Sequence, residues 1–416
     1  MKKIINRIQT DVVKRYLKKF PVVAVLGARQ VGKTTLVRDI IKEDRAFFSF
    51  DDPAVAMLAE KNPVSFLTQN KYITIDEVQK CPSVLSAIKQ IVDKKRIPGQ
   101  FLITGSANIT TLPKISETLA GRIVFVELMP FTIFEICSKQ TRKPNIIEIF
   151  SCKSAKECWD FLNSVKNKKI SVEDIILKGG YPPAWFENDD VARQEWFKGY
   201  VRTYLERDVW SLTKIRKLYD FQRFISLAAF RCCHILNQAE LAKDSGLPYT
   251  TSTQFFDLLL ATFQVFLLKP YFRNIGKRLI KSPKLIWNDT GVALYLQGVN
   301  SLLEAERLGR MPFLVENKII VEVKSLVSCY LPQAKLFYFR TSAGAEVDLV
   351  VEVDGRLIPV EVKWSEKVDY REVVGMINFF KDFSKEVPFG LVVYKGTQLL
   401  KIKDNIFLVP LMIFLG

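Results

Sequence analysis

The sequence predicts an α/β protein of several domains, led by a mostly parallel sheet with helices on both faces. Three observations carry that expectation. Residues 27–34 read Gly-Ala-Arg-Gln-Val-Gly-Lys-Thr, a complete G-x-x-x-x-G-K-[ST] phosphate loop. Short apolar runs at 21–26, 46–50, 71–76, 101–104 and 123–127 alternate with helical patterns, as βαβ units require. Far downstream, two apolar-alternating runs flank Asp354-Gly355, the strongest short signal for a β-hairpin.

The phosphate loop stands between Val22–Leu26, which reads as a buried strand, and a helical segment that includes Leu36 and Val37. That context matters because backbone N–H groups at a helix N-terminus form an anion site. Gly27 and Gly32 let the backbone wrap phosphates with no Cβ in the way, with Ala28, Arg29, Gln30 and Val31 forming the rest of the wrap. Lys33 has the reach for the β- and γ-phosphates, the Thr34 hydroxyl is a ligand for Mg²⁺, and Thr35 follows in the cradle.

A second strand, Lys71-Tyr-Ile-Thr-Ile-Asp76-Glu77, ends in two acids. This is the Walker B arrangement. Asp76 is placed to hold Mg²⁺ through water, and Glu77 to orient or deprotonate the attacking water. Phe101-Leu-Ile-Thr104-Gly-Ser106 ends in small hydroxyl residues, with Thr104 the candidate γ-phosphate sensor. The N-terminal half is therefore expected to bind and hydrolyse ATP with Mg²⁺.

Composition bounds the rest. At 416 residues, 48% hydrophobic and 25% charged, the chain has room for two or three globular domains. Its first residues are basic but lack the apolar core of a signal peptide, and Phe255–Leu268 is too short and too polar to span a bilayer. Seven scattered cysteines without a C-x-x-C pair argue against a disulfide framework or a zinc site, so a cytoplasmic location is expected. The single histidine, His234, excludes any mechanism needing two, and is expected in a core or capping role. A net charge of +17 points to a polyanionic partner. Residues 191–290 supply +8 of it, with sixteen Lys/Arg against eight Asp/Glu.

Between 136 and 175 the pattern weakens and lysine dominates, which reads as a helical insert or lid closed by Gly179-Gly-Tyr-Pro-Pro183. Residues 236–258 read as helix, tight turn, helix, with Gly246 ending the first and Thr250 or Thr251 capping the second. Arg273, Lys277, Arg278 and Lys281 then surround a hairpin-like turn, as expected of a wing touching phosphates.

In the C-terminal hairpin, a two-residue turn at 354–355 sets Val353 opposite Arg356, hence Asp348 opposite Glu361 and Glu346 opposite Lys363. Facing carboxylates repel unless positive charge stands between them. A divalent metal on Asp348 and Glu361 would supply it, with Lys363 beside it to stabilise charge or activate water. Asp…Glu-x-Lys on such a hairpin is the constellation of restriction-endonuclease-like nucleases, and Glu316 or Glu322 could add another acid. A solvated polar face is the simpler reading of the same residues.

Taken together, these residues resemble a prokaryotic family of AAA-type P-loop ATPases whose C-terminal half, of unknown function, holds a winged helix and a restriction-endonuclease-like end. Beyond the phosphate loop, the resemblance rests on Phe50-Asp-Asp-Pro53, Ile75-Asp-Glu-Val-Gln-Lys-Cys-Pro82, Thr104-Gly-Ser106, Leu119-Ala-Gly-Arg122 and Gly179-Gly-Tyr-Pro182. It continues through Tyr204-Leu-Glu-Arg-Asp208, Lys277-Arg-Leu-Ile-Lys-Ser-Pro283, Asp289-Thr-Gly291 and the Asp348…Glu361-x-Lys363 hairpin. It implies ATP binding and hydrolysis, and makes Arg122 a candidate arginine finger or sensor. Arg122 then either reaches a neighbouring subunit in a homo-oligomer or pairs structurally with an acid such as Glu127. The expected layout is an AAA-type P-loop core over 1–135, a helical insert over 136–225, a winged helix over 226–297 and a restriction-endonuclease-like α/β domain over 298–416. The leading expectation is an ATP-dependent protein that binds double-stranded DNA, with a nuclease-like end. The alternative is an ATP-driven switch whose C-terminal half is a non-catalytic scaffold.

Overall fold

The computed structural model describes residues 4–41, 44–106, 120–137, 142–165, 171–205, 218–274, 276, 281–341 and 344–416. Leu119, Lys277, Arg278 and residues 206–217, on which some of the expectations above fall, lie outside them. The chain divides into two compact units.

The first unit comprises residues 1–131 with 181–183 and 257–264. Its sheet contains β1 (Val22–Leu26), β2 (Ala46–Ser49), β3 (Ile73–Asp76), β4 (Phe101–Gly105) and β5 (Ile123–Glu127), in the order β2-β3-β4-β1-β5. Every pairing is parallel. β1, β3 and β4 are buried along their whole length, which is why they read as continuous apolar runs. Val22, Ala24, Leu26, Ile73, Ile75, Phe101 and Ile103 pack with Val84, Leu85, Ile88 and Val92 of the Pro82–Lys94 helix. β4 separates β1 from β3, so the ends of three neighbouring strands deliver the phosphate loop, Thr104 and the Asp76-Glu77 pair side by side.

The second unit comprises residues 132–180, 184–256 and 265–416. Its larger sheet is mixed, β12-β13-β11-β10-β9-β8, with β8 at Lys335–Arg340, β9 at Glu346–Val353, β10 at Arg356–Lys363, β11 at Gly390–Tyr394, β12 at Leu400–Lys403 and β13 at Ile406–Pro410. β9 and β10 are antiparallel in the expected register, from Val353 with Arg356 to Leu349 with Val360. Asp354 and Gly355 both adopt positive φ, 49° and 76°, as a type I′ turn requires. The helices Asn145–Ser151 and Ala155–Ser164, within the stretch read as an insert, pack in this unit. Phe150 meets Phe414 edge-on, Trp159 lies against Phe407, and Asn145 Nδ2 donates to Ile413 O at 2.7 Å.

The helix Gln238–Asp244 ends at Gly246, whose φ is +63°, and Tyr249–Ala261 follows. That second helix starts at Tyr249, so Thr250 and Thr251 lie in its first turn and do not cap it. Pro248 precedes it, with a ring that presets φ for helix entry. β6 (Val265–Leu268) and β7 (Lys284–Trp287) then pair antiparallel as a two-stranded ribbon. His234 is exposed, against the core expectation: its ring lies 4.5 Å from that of Phe313 and Nδ1 contacts Cys232 O at 2.9 Å. In the helix Asp190–Tyr200, Tyr200 is buried and stacked on Trp196.

Candidate functional site

The loop after β1 is shaped for close approach. A Cβ on Gly27 would lie 2.3 Å from Leu128 O, and Gly32 has φ +101°, a region that L side chains rarely adopt. Gln30 also takes a positive φ of 61°. The helix opening at Lys33 widens into a π-helical turn over Leu36–Ile40. Lys33 is buried; its Nζ donates to Gly27 O at 3.0 Å and Ala28 O at 2.9 Å, and lies 3.9 Å from Glu77 Oε1. Burial lowers its pKa, opposed by Glu77 and Asp76.

The two strand-end acids are tied to the loop and to β4. Thr34 Oγ1 donates to Asp76 Oδ2 at 2.9 Å, and Thr104 Oγ1 donates to Asp76 Oδ1 at 2.5 Å. Burial raises the pKa of Asp76, opposed by these two hydrogen bonds. The Glu77 N–H donates to Thr104 Oγ1 at 3.1 Å, so one hydroxyl positions both acids. Glu77 sits in the left-handed region at φ 56°, a conformation costing about 1–3 kcal/mol and typical of functional sites. Ser106 Oγ donates to Glu77 Oε2 at 2.9 Å, and Gln79 Nε2 donates to the same oxygen. Thr34 and Asp76 thus present two oxygens, and two protein oxygens suffice for Mg²⁺, which keeps waters and phosphate oxygens for its remaining positions.

Gln79 and Arg7 also belong to this site, outside the expected set. Gln79 stands two residues beyond Glu77, where a local side-chain clamp was legible. Arg7 is buried, donating to Val31 O at 2.9 Å and Met129 O at 2.5 Å, with its guanidinium 4.8 Å from the Phe131 ring centre. Nothing local marks it, because its contacts come from a loop 24 residues away and a strand end 122 residues away. Arg122 pairs with Asp93 through both carboxylate oxygens, at 2.5 and 2.9 Å, and donates to Ala120 O at 2.8 Å. Asp93, not Glu127, is its acid.

In the second unit, the helix Met311–Tyr330 delivers Glu316 and Asn317 to β7. Asn317 Oδ1 accepts from Trp287 N at 2.8 Å and its Nδ2 donates to Trp287 O at 2.7 Å, fixing helix to strand. Lys284, 2% exposed, then lies among three carboxylates: Nζ is 2.7 Å from Glu316 Oε1, 3.5 Å from Asp348 Oδ1, and paired with Glu346. Lys363 Nζ is 2.9 Å from Glu361 Oε1, and Val362 N–H donates to Asp348 Oδ2 at 2.8 Å. Asp348 and Glu361, the pair expected to hold a divalent ion, each have a lysine beside them. The positive charge beside these acids belongs to Lys284 and Lys363, and among the described residues no group of three or more His, Cys, Asp or Glu is disposed to hold a metal. A lysine opening a fully buried apolar strand was the signal for it. Glu322, six residues or about 120° around the helix from Glu316, lies apart from this cluster. It accepts from Ile133 N at 2.8 Å and Phe134 N at 3.1 Å.

Two further motifs meet structurally. Asp289 Oδ2 accepts from Gly180 N at 2.6 Å and Oδ1 from Val292 N at 2.9 Å, and a Cβ on Gly179 would lie 2.4 Å from Asp289 Oδ1. Gly179-Gly180 and Asp289-Thr-Gly291 are therefore two halves of one packing contact.

Burial, with Asp348 adding to it and Lys284 opposing it, raises the Glu316 pKa from 4.5 to about 8. The folded state then keeps a proton that the unfolded chain releases. The stability this contributes is full below about 4.5 and falls as pH rises toward about 8. Urea unfolding between pH 5 and 8 is expected to show a loss of up to about 1.4 kcal/mol per pH unit from this group. Glu316→Gln flattens it; an unchanged slope assigns the proton elsewhere.

Comparison with known proteins follows the same division. Residues 19–137 match the AAA domain family, 169–303 a domain of unknown function (DUF8612), and 312–414 another (DUF4143). The uncharacterized protein Rv2008c of Mycobacterium tuberculosis is 31% identical over 352 residues, which cover 84% of this chain and 72% of the relative. This chain belongs to the same family. The uncharacterized protein Mb2031c of Mycobacterium bovis matches with the same figures. Among solved structures, the Walker-type ATPase PABY2304 of Pyrococcus abyssi aligns at TM-score 0.42 and 15% identity, covering 71% of this chain and 96% of that one. The Saccharomyces cerevisiae Hsp104–ADP complex aligns at TM-score 0.30 and 11% identity, covering 80% and 45%. The family thus carries an AAA-type ATPase domain ahead of a C-terminal sheet domain of unknown function. No helix among the described residues is long and apolar enough to cross a membrane.

Proposed function

We propose that this protein binds and hydrolyses ATP with Mg²⁺ at the loop 27–34, and that its C-terminal half is a non-catalytic module moved or switched by that cycle. The observation that carries the reading is the convergence of Lys33, Thr34, Asp76 and Glu77 at the ends of adjoining strands, held there by Thr104. When bound, Mg²⁺ would neutralise phosphate charge. Thr34 and Asp76 are the residues to hold it. Lys33 exchanges its two loop carbonyls for phosphate oxygens. Glu77, with Oε2 gripped by Ser106 and Gln79, turns Oε1 toward the reaction space and takes the proton from the attacking water there. The test is ATP turnover, measured with and without duplex DNA.

Duplex DNA is the proposed partner, supported by the +8 charge of residues 191–290 and by the helix-turn-helix followed by a ribbon, which reads as a winged helix. Arg273 is engaged by Glu386 at 3.1 Å and Asp382 O at 3.0 Å, so it contributes less to this than Lys281, which is exposed. Neutralising Lys277, Arg278 and Lys281 is expected to flatten log K against log salt by about 0.9 for each phosphate no longer neutralised. An unchanged slope would assign the basic charge to solubility or to a protein partner.

Self-assembly with Arg122 acting on a neighbour's nucleotide belongs to the same reading. The bidentate bond to Asp93 would have to open for it. Mixing Arg122→Ala with Lys33→Ala subunits should restore part of the turnover that each lacks alone. No recovery, with turnover independent of protein concentration, leaves Arg122 as the structural partner of Asp93.

A further inference from the structure

We infer that Lys284 is a built-in cation standing where the acids of the C-terminal hairpin would otherwise gather a divalent metal, so that this centre is closed by its own side chain and becomes a Mg²⁺- or Mn²⁺-type site only when Lys284 is removed. Glu316, from the Met311–Tyr330 helix, and Glu346 and Asp348, from β9, turn their carboxylates to one point, and that point is the Lys284 ammonium. An ammonium has three N–H donors, which matches three carboxylates. Its stem rises from a strand buried along its whole length, and the Tyr338 ring lies 5.5 Å from Nζ. A cation covalently attached at 2% exposure needs no recruitment from solution, and it repels a divalent ion from the oxygens it already holds.

Two further features fit. Glu361 is buried, and among the described residues its Oε2 has no hydrogen-bond partner. Its other oxygen, Oε1, is held by Lys363 Nζ at 2.9 Å, so this acid too is met by a cation of the chain itself. Burial lowers the Lys284 pKa, and Glu316, Asp348 and Glu346 around it raise it. Removing the ammonium leaves three hard, inward-facing carboxylates, a donor set suited to Mg²⁺ or Mn²⁺ and ill suited to softer metals.

Manganese(II) without nucleotide is the probe. Wild type, Lys284→Met and Lys284→Met/Asp348→Asn are compared by equilibrium dialysis and by thermal unfolding. Lys284→Met should bind one more Mn²⁺ per chain than wild type and melt higher as Mn²⁺ is added, and the double variant should do neither. Folding of Lys284→Met only when Mn²⁺ is present supports the inference equally. A Lys284→Met protein with native circular dichroism and no added Mn²⁺ overturns the inference. If Lys284→Met folds under neither condition, wild type decides. Bound Mn²⁺ that disappears on Asp348→Asn would show the centre open and the inference wrong, and Mn²⁺ binding indifferent to that change upholds it. Nucleotide turnover does not enter either measurement, so the ATPase reading stands or falls separately.

Discussion

Lys33→Ala is expected to abolish nucleotide turnover, and Glu77→Gln to leave ATP bound but unhydrolysed. The two changes separate binding from chemistry because the residues occupy different places in the site. Lys33 is a buried ammonium held by two loop carbonyls, and no other lysine stands on the loop at 27–34. Its loss leaves the phosphate charge without its nearest counter-charge. Glu77→Gln keeps the shape, including acceptance from Ser106 at what is now Oε2 of Glu77, but loses the base. Removing a positioned general base costs about 10²- to 10⁴-fold in rate, or about 3–5 kcal/mol of barrier. Filter binding of labelled ATP with single-turnover hydrolysis reads both effects. Turnover persisting in Glu77→Gln would place the water-orienting role on another residue, and loss of ATP binding in it would make Glu77 part of the cradle.

Lys284→Met, without added metal, should destabilise the second unit by about 3–5 kcal/mol, the usual result of removing one partner from a buried ion cluster. The methionine keeps most of the stem volume, so the loss reads electrostatics and not a cavity. Glu316, Glu346 and Asp348 would be left facing one another at the spot where Lys284 Nζ stood. Adding Glu316→Gln and Asp348→Asn to Lys284→Met should recover much of the loss, since neutral amides need no counter-charge. Urea unfolding of the single and triple variants checks this; equal stability of the two would mean that packing, not charge, holds the cluster.

By itself the sequence determined whatever depends on neighbours along the chain. The phosphate loop, the strand ending in Asp76-Glu77 and the Asp354-Gly355 hairpin with its register are local patterns, written in glycine placement, apolar runs and turn chemistry within a dozen residues. The tertiary structure alone decided which distant residues complete each site. Parallel strands arrive from far apart in sequence, so the β2-β3-β4-β1-β5 order, and with it the Thr104 bridge between Asp76 and Glu77, follows from how crossovers pack and not from any local pattern. Arg7 reaches the phosphate loop, Asp93 takes Arg122, and Lys284 enters the acidic hairpin from a strand more than sixty residues before it. Two facing carboxylates announce that a positive charge must stand near them, because the repulsion is a property of the pair. Which side chains stand beside them depends on how helix, ribbon and sheet close around the pair, and these are Lys284 and Lys363.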